Sequence, residues 1–361
     1  MRFGIVGLSL GGKTALFEGL TGGHGARAGH GAQHGVVGVP EHRLERVAGI
    51  IGSKRATPAH LEFADTAGLN PDSNQAATYN DRILGEIRDM DGLVLVARLF
   101  AKESVPHPLG TVDPVRDVER VLLDLWTSDL LVAEKRLKKI EQSLPKCSKP
   151  ERESYAAEQA ILRTLTRALE EGTPPDLSGF SDKEILTVKG YEFFALKPTL
   201  VVANVADLTH QDERKALDKL MQWAKSSHTV TIAVNAALEK ELLDFPPDER
   251  ADYYREMGLP GSALDSVVGA AYQVMDLISF FTASEKETRG WPIPRETKAP
   301  SAAGKVHTDM EEGFIRAEVV SFVDLDRCGS MTEAKKQGLV RLEGKDYVVR
   351  DGDVVFFHFS P

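Results

Sequence analysis

Short apolar runs alternate with longer amphipathic stretches along this chain of 361 residues. Apolar runs rich in β-branched residues are typical of buried strands, whereas apolar residues at every third or fourth position are typical of helices. The runs predicted as strands are Arg2–Val6, His60–Ala64, Leu93–Ala97, Thr199–Ala203 and Val230–Val234. Helical stretches between such runs predict an α/β fold built on a mainly parallel sheet.

The interval between the third and fourth predicted strands is too long for one crossover connection. It carries two apolar stripes at helical spacing, Val118 to Leu144 and Tyr155 to Leu169, separated by a turn with two prolines, Pro145 and Pro150. The pattern predicts either an inserted antiparallel helical hairpin, like a short coiled coil, or two helices packed on the sheet. Periodicity alone does not separate these two interpretations.

The C-terminal part changes character. The chain is acidic and helical from Val234 to about Asp276, and β runs appear from Leu277 onward, among them Phe314–Phe322 and Tyr347–Phe359. We therefore predict a separate, small, β-rich domain at this end.

Glycine dominates the segment 22–35. Such a composition predicts a flexible loop, because glycine stabilises neither a helix nor a central strand. His24, His30 and His34 lie in this loop, but no cysteine or carboxylate lies among them, so metal binding is the less favoured interpretation.

Composition limits the class of protein. The chain is 42% hydrophobic and 27% charged, and it has neither an apolar stretch long enough for a membrane span nor a secretory signal. Its net charge of −10 does not favour nucleic-acid binding, so any RNA contact must come from a local patch. Cys147 and Cys328 predict free thiols. We expect a cytoplasmic protein without a membrane partner.

The chemistry begins at residues 7–14, Gly-Leu-Ser-Leu-Gly-Gly-Lys-Thr, which form a complete phosphate-binding loop. It follows the first predicted strand and precedes helix-forming residues, the context in which backbone N–H groups converge on a phosphate. In such a loop Lys13 reaches the β- and γ-phosphates, and the Thr14 hydroxyl binds Mg²⁺. The alternative is a glycine-rich turn that ends in Lys-Thr by coincidence.

Two further motifs follow predicted strands. Asp65-Thr66-Ala67-Gly68 offers a carboxylate for the water shell of Mg²⁺ and a glycine whose N–H can approach the γ-phosphate. The segment 204–207, Asn-Val-Ala-Asp, offers an amide and a carboxylate for recognition of the base. Taken alone, this segment would equally fit a turn that ends a strand.

These motifs resemble those of the YchF family, the Obg-like ATPase branch of the translation-factor-related P-loop GTPases. The stretches that carry the resemblance in the nucleotide-binding part are Gly4–Leu8, Gly12–Thr14, Gly35–Pro40, Arg43-Leu44, Asp65–Leu69, Val105–His107 and Val112–Pro114. The C-terminal stretches Leu277–Ala283, Ala302–Asp309, Gly313–Glu318 and Leu342–Tyr347 resemble the family's TGS domain, a ubiquitin-like β-grasp module associated with RNA and ribosome contact.

The resemblance implies a P-loop NTPase G domain, 1–116 with 196–276, a helical coiled-coil insertion, 117–195, and a TGS domain, 277–361. It also implies a nucleoside triphosphatase that usually prefers ATP, associates with ribosomes and acts in translation or stress responses. The family's base motif lacks the Lys of GTPases, as this chain does at Val205. Asp207, however, could pair with guanine, so both ATP and GTP stay open.

The resemblance also bears on catalysis. Leu69 stands where many GTPases have a glutamine that orients water, so hydrolysis is expected to be slow unless another group acts. In the family a loop histidine is proposed for this role, and His107 matches its position. The alternative is an exposed loop histidine between two prolines.

Three positions depart from the family pattern. Gly29 stands where the first switch usually has Thr, and the second switch, Asn70–Ala77, lacks the usual Lys and Glu. Asn235-Ala236-Ala237 replaces the usual Ser-Ala-Lys. These changes predict intact phosphate anchoring with weaker sensing of the γ-phosphate.

The predictions for the site and for partners are therefore as follows. The predicted nucleotide-binding residues are Gly7, Leu8, Ser9, Leu10, Gly11, Gly12, Lys13, Thr14, Ala15, Asp65, Gly68, Asn204, Val205, Asp207, Asn235 and Ala236, with Thr14 and Asp65 as Mg²⁺ ligands and His107 as the catalytic residue. We expect a monomer that binds ATP or GTP and contacts ribosomes or RNA through the TGS domain and hairpin, without recognising a DNA sequence. A non-hydrolysing nucleotide-binding scaffold and an RNA-binding module with a vestigial nucleotide site are the alternatives.

Overall fold

The computed structural model describes residues 1–23, 25–27, 31–70 and 76–360. His24, Gly29 and His30 of the glycine-rich segment lie outside the described residues, as do residues 71–75 of the second switch.

The described strands are β1 (Arg2–Val6), β2 (Ala26–Arg27), β3 (Gln33–Gly38), β4 (Ala56–Thr57), β5 (His60–Asp65), β6 (Gly92–Arg98), β7 (Thr199–Asn204), β8 (Val230–Val234), β9 (Leu277–Ala283), β10 (Thr288–Pro294), β11 (Phe314–Ser321), β12 (Arg341–Glu343) and β13 (Asp353–Phe359).

The described helices are α1 (Lys13–Thr21), α2 (His42–Ile51), α3 (Ala76–Ile87), α4 (Pro114–Ser143), α5 (Lys149–Glu170), α6 (Asp182–Lys189), α7 (Gln211–Ser226), α8 (Ala236–Glu241), α9 (Pro247–Glu256), α10 (Ala263–Val274), α11 (Ala299–Val306), α12 (Thr308–Glu312), α13 (Phe322–Cys328) and α14 (Met331–Lys336). Short 3₁₀ turns occur at Leu144–Lys146, Phe194–Leu196 and Leu242–Asp244. None of these described helices is both long and apolar enough to cross a membrane.

The larger sheet confirms the predicted α/β fold. Its strand order is β2-β3-β5-β1-β6-β7-β8, and β1, β6, β7 and β8 pair in parallel. All five predicted strands are present, each within one residue of the predicted bounds at either end. Parallel neighbours bring their carboxyl ends to one edge of the sheet, and this edge is where the predicted motifs lie.

The prediction that residues 22–35 form only a loop is wrong in part. Gln33–Gly35 begin β3, which lies between β2 and β5 in the sheet, and Ala26 and Arg27 pair antiparallel with His34 and Gln33. Position 35 of the strand requires glycine, because a Cβ there would collide with the side chain of Thr21 on α1. Close packing against a helix thus overrides the weak strand propensity of glycine.

Helices α4 and α5 combine the two interpretations that periodicity left open. Near its start α4 packs on the sheet, where Val118, Val121 and Leu125 share one core cluster with β6 and β7. Further along, Ile140 belongs to a second cluster with Leu162 of α5. One helix therefore serves both as a cover for the sheet and as half of a helical pair.

The chain divides into two compact units, one formed by 2–35 and 63–263 and the other by Met1, 36–62 and the residues from Leu264. The domain boundaries expected from the resemblance stay a prediction.

The second unit contains the predicted β-rich region and more. Its sheet has the order β12-β11-β13-β9-β10-β4, so it includes two residues from the N-terminal part of the chain. Helix α2 packs into this unit's core through Leu44 and Val47, which contact a cluster containing Phe281. The predicted β runs were too long: Phe322 begins α13, and only Asp353–Phe359 of the last run is a strand. Helices α11–α14 were not predicted.

Candidate nucleotide-binding site

The glycine-rich loop between β1 and α1 is shaped by close backbone approaches. Gly12 has φ +92°, a conformation that glycine adopts without strain, and a Cβ there would collide with the side-chain amide of Asn204. A Cβ on Gly7 would lie 2.6 Å from the carbonyl oxygen of Val96. The spacing of the motif thus reflects packing against β6 and β7 as well as room for a ligand.

The N-terminus of helix α1 is suited to binding an anion. It begins at Lys13 directly after Gly12, with no side-chain cap at its N-terminus and no acidic residue in its first turn. Its first N–H groups therefore point out of the helix end, where the helix dipole favours negative charge. This arrangement is that of a phosphate site.

Lys13 is a buried cation. The residue is 5% exposed, and Nζ donates to the carbonyl oxygens of Leu8, at 3.0 Å, and Gly7, at 3.3 Å. Burial lowers the pKa of Lys13 to about 8, although the charge of Asp65 acts in the opposite direction. The ammonium group is therefore partly desolvated before it meets a ligand.

Thr14 and Asp65 meet beside this lysine, although they come from different elements. The Thr14 hydroxyl donates to Asp65 Oδ2 at 2.8 Å, which joins the start of α1 to the end of β5. A hydroxyl and a carboxylate are oxygen ligands of the kind that Mg²⁺ takes together with water and phosphate. Across the described residues no larger cluster of carboxylates, histidines or cysteines could hold a metal on its own.

Gly68 and Leu69 pack directly against the loop. Leu69 donates its N–H to Gly7 and accepts from the N–H of Ser9, at 3.0 and 3.1 Å. A Cβ on Gly68 would collide with the backbone of Ser9. The side chain of Leu69 is fully buried in the core of the sheet, so it lines that core and leaves no group to orient water.

A cavity of about 390 Å³ lies over the loop and the start of α1. It is lined by Ser9, Leu10, Gly12, Lys13, Thr14, Ala15, Thr66, Ala67, Gly68, Phe100 and Val105. Sequence reasoning missed Thr66, Ala67, Phe100 and Val105 as lining residues. Phe100 could have been found, because it follows β6 at the carboxyl edge of the parallel sheet.

Arg98 holds the loop that carries Phe100 and Val105. Its guanidinium donates to the carbonyl oxygens of these two residues, at 3.0 and 2.8 Å, and lies 4.5 Å from the ring centroid of Phe100. Burial lowers the pKa of Arg98, while the charge of Asp117 opposes the shift. One buried cation therefore fixes this wall of the cavity from behind.

The structure places His107 away from the cavity lining. Its Nδ1 accepts from the N–H of Leu109 at 3.1 Å, so Nε2 carries the hydrogen and donates to Asp117 Oδ2 at 2.8 Å. The imidazole is 4% exposed, in contrast to the exposed loop histidine of the alternative interpretation. Arg116 binds the other oxygen of Asp117 at 2.8 Å. In this conformation both ring nitrogens are engaged.

The two asparagines of the predicted base motifs bind backbone. Asn204 donates to Gly11 at 3.0 Å and accepts from Ala236 at 3.1 Å, so it ties the phosphate loop to the start of α8. Asn235 donates to Ala206 at 2.7 Å and caps α8 by accepting from Leu238. Their amides thus hold the rim of the site together.

Asp207 lies at the same rim and is partly exposed. Val205, which precedes it, is buried, whereas the Asp207 side chain is 26% exposed. Hydrogen bonds from Thr209 to Oδ1 lower the pKa of Asp207 and keep it ionised. Its Oδ2 lies 3.8 Å from His210.

A strand, a glycine-rich loop and a helix at the carboxyl edge of a parallel sheet place the chain in the class of P-loop proteins. The family model YchF-GTPase_C, described as a protein of unknown function (DUF933), matches residues 277–360. Two proteins named ribosome-binding ATPase YchF are similar over nearly the whole chain. The one from Bacillus subtilis (strain 168) is 34% identical over 364 residues, 99% of this chain and 98% of its own. The one from Escherichia coli O157:H7 is 34% identical over 369 residues, 99% of each chain.

The solved structure of the Schizosaccharomyces pombe YchF GTPase is similar with a TM-score of 0.82 and 25% identity, and it covers 99% of this chain and 97% of that one. This chain belongs to the YchF family, which confirms the resemblance found in the sequence.

Proposed function

We propose that the chain binds a nucleoside triphosphate with Mg²⁺ at the P-loop site, hydrolyses it slowly and associates with ribosomes. The observation that carries the proposal is the convergence of Lys13, the uncapped start of α1 and Thr14, whose hydroxyl donates to Asp65, on one cavity. The relatives named ribosome-binding ATPases support the ribosome as partner.

Different residues of the site contribute different contacts to the proposed nucleotide binding. The N–H groups of residues 11–15 surround the phosphates, and Lys13 neutralises charge on the β- and γ-phosphates. Thr14 and Asp65 would hold Mg²⁺, which when bound offsets phosphate charge. Phe100 and Val105 cover one side of the cavity and limit access of water.

Slow hydrolysis follows from what surrounds the γ-phosphate position. Of the described residues that line the cavity, none is a carboxylate or a histidine. Leu69 is buried and His107 is held by Asp117. For His107 to assist a water molecule, its ring must leave Asp117 and the loop 99–113 must move. We keep His107 as the proposed catalytic residue for that opened state.

The lack of a carboxylate or histidine among the described residues that line the cavity also favours one alternative function, a nucleotide-binding scaffold that does not hydrolyse. Turnover by the purified protein separates the two functions. If the chain is an enzyme, ATP or GTP turnover exceeds that of Lys13→Ala and falls in His107→Ala, with and without ribosomes present. If wild type and Lys13→Ala turn over equally while wild type binds nucleotide with Mg²⁺, the enzyme proposal fails.

The choice of base needs a separate test. The relatives' names point both ways, to an ATPase and to a GTPase. Asp207 is the side chain here that could pair with guanine N1 and N2. Titration of ATP and GTP against wild type and Asp207→Asn decides this, because loss of the carboxylate would weaken GTP selectively if guanine is the base.

A further inference from the structure

A small cationic pocket lies in the unit that contains the C-terminal sheet, apart from the residues that line the P-loop cavity. Arg289 and Trp291 stand two positions apart on β10, so both side chains lie on the same face of that strand. Lys305 of α11 and His60 of β5 complete the polar lining, and the cavity volume is about 200 Å³. No carboxylate belongs to the lining among the described residues.

The tryptophan is held so that it can serve as a platform. Its Nε1 donates to Thr282 Oγ1 at 2.9 Å, which fixes the orientation of the ring, and the ring packs in part against the core of the sheet. The guanidinium of Arg289 lies 4.4 Å from the ring centroid. A planar, polarisable surface made of an indole and a guanidinium is the kind on which nucleobases stack.

The cationic side chains of this pocket do not form ion pairs within the described part of the chain. Several neighbouring cations of the same unit have carboxylate partners, for example Arg295 with Asp276 and Lys298 with Asp346, both at 2.9 Å. For Arg289 and Lys305, by contrast, no ion pair occurs among the described residues. In a protein with a net charge of −10, such a cluster is a local site for an anion.

We propose that this pocket binds one nucleotide of a single-stranded RNA, with its base against Trp291 and Arg289 and its phosphates beside Lys305 and His60. Its volume of about 200 Å³ is below the roughly 300–1,000 Å³ of pockets that enclose a small-molecule ligand, so it suits contact with part of a longer strand. The assignment builds on the proposed association with ribosomes, but it is independent of nucleotide hydrolysis.

The test is binding of a fluorescently labelled oligouridylate to the full chain, followed by anisotropy, with the P-loop site saturated with ADP. Arg289→Ala and Lys305→Ala should each weaken binding at least threefold and reduce the slope of log affinity against log salt by about 0.7. Trp291→Leu should weaken binding about fivefold or more through lost stacking, whereas Trp291→Phe should keep most of the affinity. Thermal unfolding checks that each variant is folded.

Lys336→Ala is the matched control, because Lys336 is an exposed lysine of the same unit outside the pocket, and it should bind the RNA as wild type does. The proposal is overturned if Arg289→Ala and Lys305→Ala keep wild-type affinity and salt dependence. It is also overturned if uridine monophosphate binds as tightly as the oligomer, because the site would then take free nucleotides. Triphosphate turnover of the same variants keeps the two proposals distinct: it should stay unchanged when RNA binding is lost.

Discussion

Among single residues, Lys13 gives the clearest pH dependence. Its pKa of about 8 in the free protein means that the ammonium begins to lose its proton just above neutral pH. Bound phosphates favour the charged form, so the bound state holds more protons than the free state above this pH. We therefore expect the affinity for ADP and ATP to be flat below about pH 8 and to fall by up to tenfold per unit above it.

Calorimetric titrations between about pH 7 and about pH 9.5 measure this effect, and binding should take up a proton in the upper half of that range. Lys13→Arg is the control. An arginine stays charged throughout, so its affinity should be weaker overall but independent of pH. An unchanged wild-type affinity across the range would contradict the inferred role of Lys13.

A second prediction concerns Asn204, whose side chain maintains the conformation of the phosphate-binding loop. Asn204→Ala removes the partners of two backbone groups, the Gly11 carbonyl and the Ala236 N–H, in a buried position. We expect a loss of about 2–4 kcal/mol in the free energy of unfolding and weaker binding of both ATP and GTP. Because the amide faces backbone, the ratio of the two affinities should not change.

Urea unfolding and parallel nucleotide titrations check the effect of Asn204→Ala. Asp207→Asn is the matched variant, since Asp207 lies on the same rim and is partly exposed. It should leave stability nearly unchanged. A change of base preference in Asn204→Ala, with stability intact, would show that Asn204 reads the base directly.

At the scale of elements, the stability of the helical pair α4 and α5 should depend on the hydrophobic cluster between the two helices. Leu162 is fully buried in the cluster that joins the two helices, so Leu162→Ala should cost about 2–5 kcal/mol of stability. Leu131, which is 57% exposed on α4, provides the control, and Leu131→Ala should change stability by less than about 0.5 kcal/mol.

Hydrogen exchange in α5 and urea unfolding together measure the Leu162 effect. Because Leu162 belongs to a different cluster from the core under the sheet, the affinity for nucleotide should stay within about twofold of wild type in both leucine variants. A proportional loss of nucleotide binding in Leu162→Ala would mean that this helical pair and the sheet form one cooperative unit.

These elements also show how much of the fold can be predicted from the sequence. Apolar runs and helical stripes are local patterns, and they predicted five of the seven described strands of the larger sheet and the helices α4 and α5, but not β2 and β3. The second sheet was only partly predicted, because Ala56 and Thr57 join it from more than two hundred residues away in sequence. In the site, the P-loop motif located Lys13 and Thr14, but the engagement of His107 by Asp117 depends on packing that no local pattern records.

For the whole molecule, the proposed binding of a nucleotide and of the ribosome raises the question of how strongly each affects the affinity for the other. The charge of −10 opposes a general attraction to RNA, so the association that we propose depends on local groups such as Arg289 and Lys305. Coupling also requires contacts that exist only with the γ-phosphate. The resemblance predicts that Gly29 stands in place of the usual switch threonine and that the second switch lacks the usual Lys and Glu.

We therefore expect affinities for ribosomes in ATP and in ADP that differ by less than about tenfold, or about 1.4 kcal/mol. Linkage requires that ribosomes change the ratio of ATP to ADP affinity by the same factor, so both directions can be measured, by cosedimentation and by nucleotide titration. Gly29→Thr restores the missing hydroxyl and should increase this factor, whereas Gly29→Ala should not. A wild-type difference of a hundredfold or more would mean that other groups sense the γ-phosphate, and the reading of the switches as weakened would then be wrong.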